Sequence, residues 1–367
     1  MLCVAIQLLK HMSSVILDCD LMRFPNSGLY HYCLNLGLEV QKHLDNEDHF
    51  NLKMYIPEEH KGCLDKSLSI VKEKKWHRYW KPFLQGCRVW HAPFQSGRIL
   101  PDKKKYPGIK VLLTIHDLNP LHEGKSAEEQ QKSISHTQSL IDRSDAIVCI
   151  SEFTKSDVLK NCNTQGKPLY VIHNGIHRVN FPSRDKKPER KIDRPFLFGM
   201  GYVNTKKNYH VLLPLLKFNP DLEMVIAGRL DEPDYVDAMK KTALALGVSD
   251  RLHLAGPVSE DDKGWYLNNC MAFMHPSLAE GFGAPVVEAM LFGKPLFLSR
   301  LTSLPEIGGD AAFYFNNFDA EHMQAVFKEG MQRFCKENMS QYVVNRGKQF
   351  DWRKSAAQYL KVYQSLM

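Results

Sequence analysis

The 367-residue sequence contains no Cys-x-x-Cys pair, and its nine cysteines are an odd number. That excludes a disulfide framework and a zinc ribbon, and it fits a reducing compartment. Sixteen histidines form no His-Glu-x-x-His and no other ligand spacing, so no metal site is expected from them. No window approaches the roughly 18 apolar residues of a membrane-spanning helix. Gly-x-Gly-x-x-Gly does not follow the first strand, which argues against a nicotinamide enzyme. The phosphate-binding pattern GxxxxGK[ST] is missing too, which argues against a P-loop nucleotidase. Hydrophobic residues at 44% and charged residues at 24% exclude a disordered or fibrous chain.

What is present is chain enough for two ordinary domains, at roughly 100–200 residues each. Residues 1–12 read as a ragged leader from an early start codon, with Met12 directly before the first good strand. They lack the basic start and small-residue cleavage site of a signal peptide, and Gln7 interrupts the apolar run. A cytoplasmic protein is expected.

Charge is uneven. The net charge is +7, yet residues 61–110 hold 13 Lys/Arg and 3 Asp/Glu, a local +10, so the remainder sums to −3. Within that region KEKKWHRYWKPF (72–83) spaces Trp76, Tyr79, Trp80 and Phe83 at i, i+3, i+4 and i+7. On a helix this makes one aromatic stripe flanked by cations. Two readings stand: docking on an anionic membrane surface or acceptor, or a helix packing its stripe on its own sheet. Nucleic acid is not expected as a partner.

Strand-like runs alternate with helical patterns, which predicts an α/β fold with parallel sheets. The first series is 13–19, 50–56, 88–92, 110–116, 146–150 and 169–173, with helices over 28–44 and 151–161, the latter capped by Ser151. Residues 178–195 carry ten charges and little to bury, and read as a linker. The alternation restarts with 196–200, 222–228, 251–256, 271–275, 295–299 and 311–315. The expected organisation is an N-terminal domain (1–177), the linker (178–195) and a C-terminal domain (196–345). The stretch 346–367 supplies a helix that packs back on the first domain. Two doubly wound domains facing a central cleft follow, with ligands at the carboxyl ends of the strands.

The segment HPSLAEGFGAPVVEAMLFGKPLFLS (275–299) concentrates the chemistry. A strand ends near His275, Gly281 and Gly283 allow a sharp turn, and Pro285 suits a helix's first turn. The N–H groups of the helix start and the helix dipole face any anion bound there. Glu280 precedes that turn and Glu288 lies one turn into the helix, so both carboxylates can enter one cleft without touching. Carboxylates accept from sugar or ribose hydroxyls, and amide-held phosphate between two of them suits a nucleotide-sugar. The plainer reading is that Glu288 favours a helix start and Glu280 is a solvated loop residue.

The Glu280–Glu288 spacing, E-x7-E within EGFGAPVVEAM, resembles the retaining glycosyltransferases of family 4, which have the GT-B fold. The resemblance runs through residues 14–320 in order: NSGLYHYCLNL, TIHDLNP, ISEFTKSDV, VIHNGI, GYVNTKKN and LPEIGGDAAFYFNNFDAEHM. It implies that Glu288 holds the donor ribose and Glu280 the transferred sugar. Backbone amides of Phe282, Gly283 and Ala284 would contact the diphosphate or sugar. Lys207, with Lys206, would neutralise the leaving diphosphate, and Gly28 would let the acceptor-side loop approach. His116 would reach the reacting sugar, with Asp117 beside it. The donor loop departs from the family by having Lys206-Lys207 where an Arg-Lys pair is usual; Arg229 is the candidate replacement guanidinium.

The resemblance implies transfer of a hexosyl group from a UDP- or GDP-sugar to a hydroxyl of a glycan or lipid-linked glycan. Retention of configuration, no metal, no cofactor, and a place in surface polysaccharide synthesis go with it. A nucleotide-sugar epimerase and a non-catalytic sugar or nucleotide binder are the alternatives. His91 reads either as lining the acceptor cleft or as structural. Asp18-Cys19-Asp20 spells a D-x-D, which elsewhere ligates a metal; here Asp20 could instead serve the acceptor loop.

Overall fold

The computed structural model describes residues 13–24, 27–44, 50–58, 68–176, 188–189 and 192–367. The leader 1–12, and most of the charged segment 178–195, lie outside the described residues. The chain divides into two compact units. One comprises the residues up to Leu118, Ser126–Gly175 and Asp351–Met367; the other comprises Asn119–Lys125 and Ile176–Phe350.

The first unit is built on seven parallel strands: β1 (Ser13–Asp18), β2 (Phe50–Ile56), β3 (Ser69–Lys72), β4 (Cys87–Ala92), β5 (Lys110–Ile115), β6 (Ala146–Cys149) and β7 (Leu169–Val171). Their spatial order is β3-β2-β1-β4-β5-β6-β7, so the winding reverses between β1 and β4. The central strands are nearly continuous apolar runs because helices cover both faces. β3 is not anticipated by the sequence pattern. Its four residues are half-exposed at the sheet edge and give no alternation to read.

Helices Gly28–His43 and Trp352–Leu366 pack together, with the Tyr32 and Tyr359 hydroxyls 2.6 Å apart. Ser27 Oγ accepts the Tyr30 N–H at 3.1 Å and caps the first helix. Gly175 permits the close return of the chain, since a Cβ there would stand 2.2 Å from the Trp352 nitrogen.

The stripe at 72–83 is not a helix. It forms two short 3₁₀ turns, Lys75–Arg78 and Pro82–Leu84, because Pro82 cannot donate to the preceding turn and starts a new one. Only Phe83 turns inward, against His77 and Tyr55; Trp76, Tyr79 and Trp80 are exposed. The reading in which the whole stripe packs on its own sheet is therefore corrected.

The second unit repeats the architecture with six parallel strands: β8 (Phe196–Met200), β9 (Glu223–Ala227), β10 (Leu252–Gly256), β11 (Ala272–His275), β12 (Leu296–Ser299) and β13 (Phe313–Phe315). Their order, β10-β9-β8-β11-β12-β13, reverses between β8 and β11. Phe198, Phe273, Phe297 and Phe315 are fully buried along these strands. At Gly330 in helix Ala320–Lys336 a Cβ would lie 2.7 Å from the Phe297 ring, so the helix needs glycine there to seat on the sheet.

Candidate active site

The reversal between β8 and β11 leaves a crevice at the carboxyl ends of two adjacent strands whose connections run to opposite faces. The loop after β8 carries Lys206 and Lys207, and the loop after β11 carries Glu280. Backbone bonds stitch the loops together. The Leu278 N–H donates to the Lys206 carbonyl at 2.8 Å, and Asn208 Nδ2 to the Pro276 carbonyl at 3.3 Å. Asn204 caps the lysine turn by accepting the Lys207 N–H at 3.1 Å, and Asn208 closes it at φ 58°. Both lysines are thus placed by backbone, not by their own side chains.

Lys207 Nζ forms an ion pair with Glu280 Oε1. The same oxygen accepts a hydrogen bond from Nε2 of His275, the last residue of β11, at 2.8 Å. Ser303 Oγ donates to the Glu280 carbonyl at 2.9 Å, and the Glu280 N–H donates to Thr302 Oγ1 at 2.9 Å. Burial by itself would raise the Glu280 carboxyl. The Lys207 ammonium and the His275 N–H outweigh it and hold the group well below the usual carboxylate range. The solvated-loop reading of Glu280 is corrected: the residue is only 9% exposed.

His275 is a functional candidate that sequence reasoning missed. It is fully buried, and burial pushes its imidazole below its ordinary value against the opposing pull of Glu280. Nδ1 has no hydrogen-bond partner among the described residues. A proton there would be an orphaned buried donor, so the ring is neutral with its hydrogen on Nε2. The only sequence signal is its place as the last strand residue, five before Glu280.

Glu288 lies in the helix Ala284–Leu291 and meets a second lysine the sequence did not single out. Lys263 Nζ is 3.2 Å from Glu288 and 2.7 Å from Glu260. Burial raises the Glu288 carboxyl above its ordinary value, and Lys263 only partly offsets it. Between the two glutamates, Gly283 caps the helix at φ 93°, a left-handed conformation that favours glycine; a Cβ would also stand 2.9 Å from Leu304. The Phe282 ring is buried edge-on against Phe350 at 5.5 Å, so Phe282 can offer a ligand only its backbone, while Ala284 opens the helix.

The two neighbouring lysines diverge. Lys206 Nζ lies 3.6 Å from Glu123, in the segment 119–125 that groups with this unit. Arg229 stands at the carboxyl end of β9, exposed, with its guanidinium paired to Asp231 at 3.0 and 3.2 Å and stacked on Tyr202. Among the described residues no hydrogen bond or ion pair joins it to Lys207 or Glu280.

In the first unit, His116 follows β5 and is buried. Its Nε2 donates to the Pro93 carbonyl at 2.8 Å, leaving Nδ1 as a lone-pair acceptor, and burial brings the imidazole down to about 4. The Tyr32 ring meets it edge-on at 4.7 Å. Asp117 is half-buried beside it, its carbonyl accepting from Gln95 at 2.7 Å. Gly28 begins its helix in open space: a Cβ there would meet nothing within 4 Å, so packing within the protein does not demand glycine.

His91 is not a cleft residue. It is fully buried, with Nδ1 2.7 Å from the Tyr363 hydroxyl and Nε2 2.8 Å from Thr114, so both ring nitrogens are engaged inside the core. Of the D-x-D pair, Asp20 accepts from Arg98 at 2.8 Å, and Arg98 also pairs with Glu73, whose other oxygen pairs with Arg23. Burial raises the Asp18 carboxyl, and the Asp20 charge adds to it.

Comparison with known proteins agrees with this layout. Residues 180–350 match the model of glycosyl transferases group 1, and residues 74–178 match that of Glycosyltransferase Family 4. The chain is 26% identical over 269 residues to a serotype-specific mannosyltransferase WbdA of Escherichia coli, covering 67% of this chain and 32% of that one. It is 22% identical to O-antigen chain mannosyltransferase B of Escherichia coli, covering 96% of this chain and all of that one. The chain thus spans about a third of the length of WbdA. Among solved structures, sucrose-phosphate synthase from Thermosynechococcus elongatus superposes with a TM-score of 0.73 at 14% identity, over 96% of this chain and 99% of that one. Anabaena HepE in complex with UDP and glucose superposes with a TM-score of 0.73 at 17% identity, over 97% and 100%. With two doubly wound units in sequence, and the two family models matching one after the other along them, the chain belongs to the family 4 glycosyltransferases of the GT-B fold.

Proposed function

We propose that the chain transfers a hexosyl group from a UDP- or GDP-sugar to a hydroxyl of a glycan or lipid-linked glycan, with retention, in surface polysaccharide synthesis. The observation that supports this most is the Lys207–Glu280–His275 cluster at the strand reversal of the second unit. It offers one cation and one anion side by side: Lys207 for the diphosphate, Glu280 for hydroxyls of the transferred sugar. Glu288 takes the ribose hydroxyls. The mannosyltransferase names of the relatives favour a mannosyl donor, and the UDP-glucose complex of HepE a glucosyl one.

In this reading the bond between the anomeric carbon and the β-phosphate oxygen breaks, and negative charge builds on that phosphate. Lys207 and the amides at the helix start stabilise that charge more in the transition state than in the ground state. The acceptor oxygen bonds to the anomeric carbon on the face the diphosphate leaves, and its proton passes to the departing phosphate oxygen. The His116 Nδ1 lone pair accepts from a sugar hydroxyl. No metal enters the scheme.

A thermal-shift panel of UDP, GDP, CMP, dTDP and their sugar conjugates tests the donor site. A nucleotide at about 100 times its dissociation constant adds about 2.7 kcal/mol, a shift on the order of 5 °C or more. Silence across the panel in folded protein overturns the reading. So does conversion of the sugar without an acceptor, the mark of an epimerase. With the donor known, product anomer and resistance to EDTA test retention and metal independence.

A further inference from the structure

The aromatic turns at 72–83 take no part in the cluster of the second unit, and they are built unlike a chance exposure. His77 anchors the first turn: it is buried, its Nδ1 lies 3.2 Å from the Tyr55 hydroxyl, and its ring packs on Phe83 at 4.5 Å. The Tyr79 and Trp80 N–H groups donate to the Trp76 carbonyl at 2.9 and 3.1 Å. On this fixed support Trp76, Tyr79 and Trp80 are 40%, 79% and 65% exposed. The two indoles stack at 5.4 Å, making a single apolar plate. Folding gains little from large aromatics left in water, so a plate of this kind marks a surface that something else covers.

The charge around the plate identifies what. Lys74 lies over the Trp76 ring at 5.6 Å, and Lys75 and Arg78 belong to the same turn, with Lys81 just beyond it. The single carboxylate of the segment, Glu73, is turned away to Arg23 and Arg98 at 2.7 Å each. Among the described residues no carboxylate lies within ion-pair distance of Lys74, Lys75, Arg78 or Lys81. Protein–protein interface cores are poor in lysine, whereas an anionic bilayer rewards it, with indoles seated at headgroup level and cations against phosphates. The indoles also stack on one another, which leaves no slot between them for a base. Among the described residues no helix is long and apolar enough to cross a membrane. We propose that the turns Lys75–Arg78 and Pro82–Leu84 dock the protein on an anionic lipid surface, through the Trp76–Tyr79–Trp80 plate and its ring of cations. This docking is independent of which sugar, or whether any sugar, is transferred.

Co-sedimentation of the full chain with phosphatidylcholine vesicles, with and without phosphatidylglycerol, tests it. Binding is expected only to the anionic vesicles, and to weaken with added salt. Trp76→Ser with Trp80→Ser should lower partitioning at least tenfold. Lys75→Glu with Arg78→Glu, exposed changes that spare the His77 anchor, should lower it roughly fivefold or more per charge. Circular dichroism and melting confirm that each variant is folded, and the charge variant decides the matter if the tryptophan variant is not. Equal binding to neutral vesicles, no binding to either, or undiminished binding by the folded charge variant overturns the proposal. So does lipid-free self-association, or single-strand oligonucleotide binding, that the same substitutions abolish; the first assigns the plate to a second copy and the second to nucleic acid.

Discussion

Glu280 and Glu288 leave one loop–helix segment eight residues apart and each meets a lysine, yet their surroundings push the two carboxyls in opposite directions. Glu280 has two donors on a single oxygen, the Lys207 ammonium and the His275 N–H, held by backbone bonds between two loops. Glu288 has one donor at 3.2 Å, and that lysine sits closer to the exposed Glu260. With burial common to both, the number and commitment of the partners decide the sign. One carboxylate is fixed as an anion. The other has a single partner that it shares with Glu260, which is compatible with the ribose-holding role proposed for it.

The largest test of this difference removes the cation. Lys207→Ala should lower kcat by roughly 10²–10³, the cost of losing a preorganised group at a site of developing charge. A loss confined to KM would mean that Lys207 acts equally in ground and transition states. Glu288→Ala should leave kcat nearer to wild type and weaken nucleotide binding roughly tenfold or more, read by calorimetry. If Glu280→Ala and Glu288→Ala gave the same split, the two carboxylates would not differ in role.

His275→Ala should lower kcat about tenfold with KM little changed, because Glu280 keeps Lys207 but loses its orienting donor. His275→Gln, whose amide can still donate, should recover most of that loss. A variant that melts as wild type yet shows no kcat change would break the positioning role.

The smallest effect is a matter of pH. A carboxyl lowered by folding adds stability above its unfolded value near 4.3, lost as pH falls toward its folded value. A raised one adds stability at low pH, lost as pH rises through its folded value. Glu280→Gln should therefore cost roughly 3 kcal/mol at pH 7 and progressively less on acidification. Glu288→Gln should lie within about 1 kcal/mol of wild type at pH 7 and lose any advantage in acid. Melting curves of both variants at pH 3 and pH 7 that shift in parallel would contradict the contrast.

Much of this was legible in the chain. The twelve strand runs read from the pattern lie on strands to within two residues at either end, because buried parallel strands are continuous apolar segments bounded by loop residues. Ser151 caps its helix as its residue type predicts, accepting the Thr154 N–H at 3.1 Å. Glu280 and Glu288 could be picked out because the segment they share carries the glycine and proline signals of a strand-to-helix turn, whereas Lys207 was reached through the family resemblance of its loop. Lys263 could not: it lies on a different helix, in an ordinary charged stretch. His91 was left open between cleft and core because a histidine near a strand end reads the same whether it faces a crevice or Tyr363; the structure takes the core alternative. The periodicity of Trp76, Tyr79, Trp80 and Phe83 predicted a helix, but Pro82 and the buried His77 produced two turns instead.

The sequence by itself determined what depends on neighbours along the chain: strand runs, caps, the left-handed turn at Gly283, and the local excess of cations at 61–110. The tertiary structure alone decided what depends on pairing across it. It sent Lys207 to Glu280 and Lys206 to Glu123, set His275 beneath the carboxylate, and turned three aromatics of the basic segment outward. The reason is that a side chain's direction and its number of partners come from which loops the sheet order brings side by side, and adjacent residues with identical chemistry carry no mark of it.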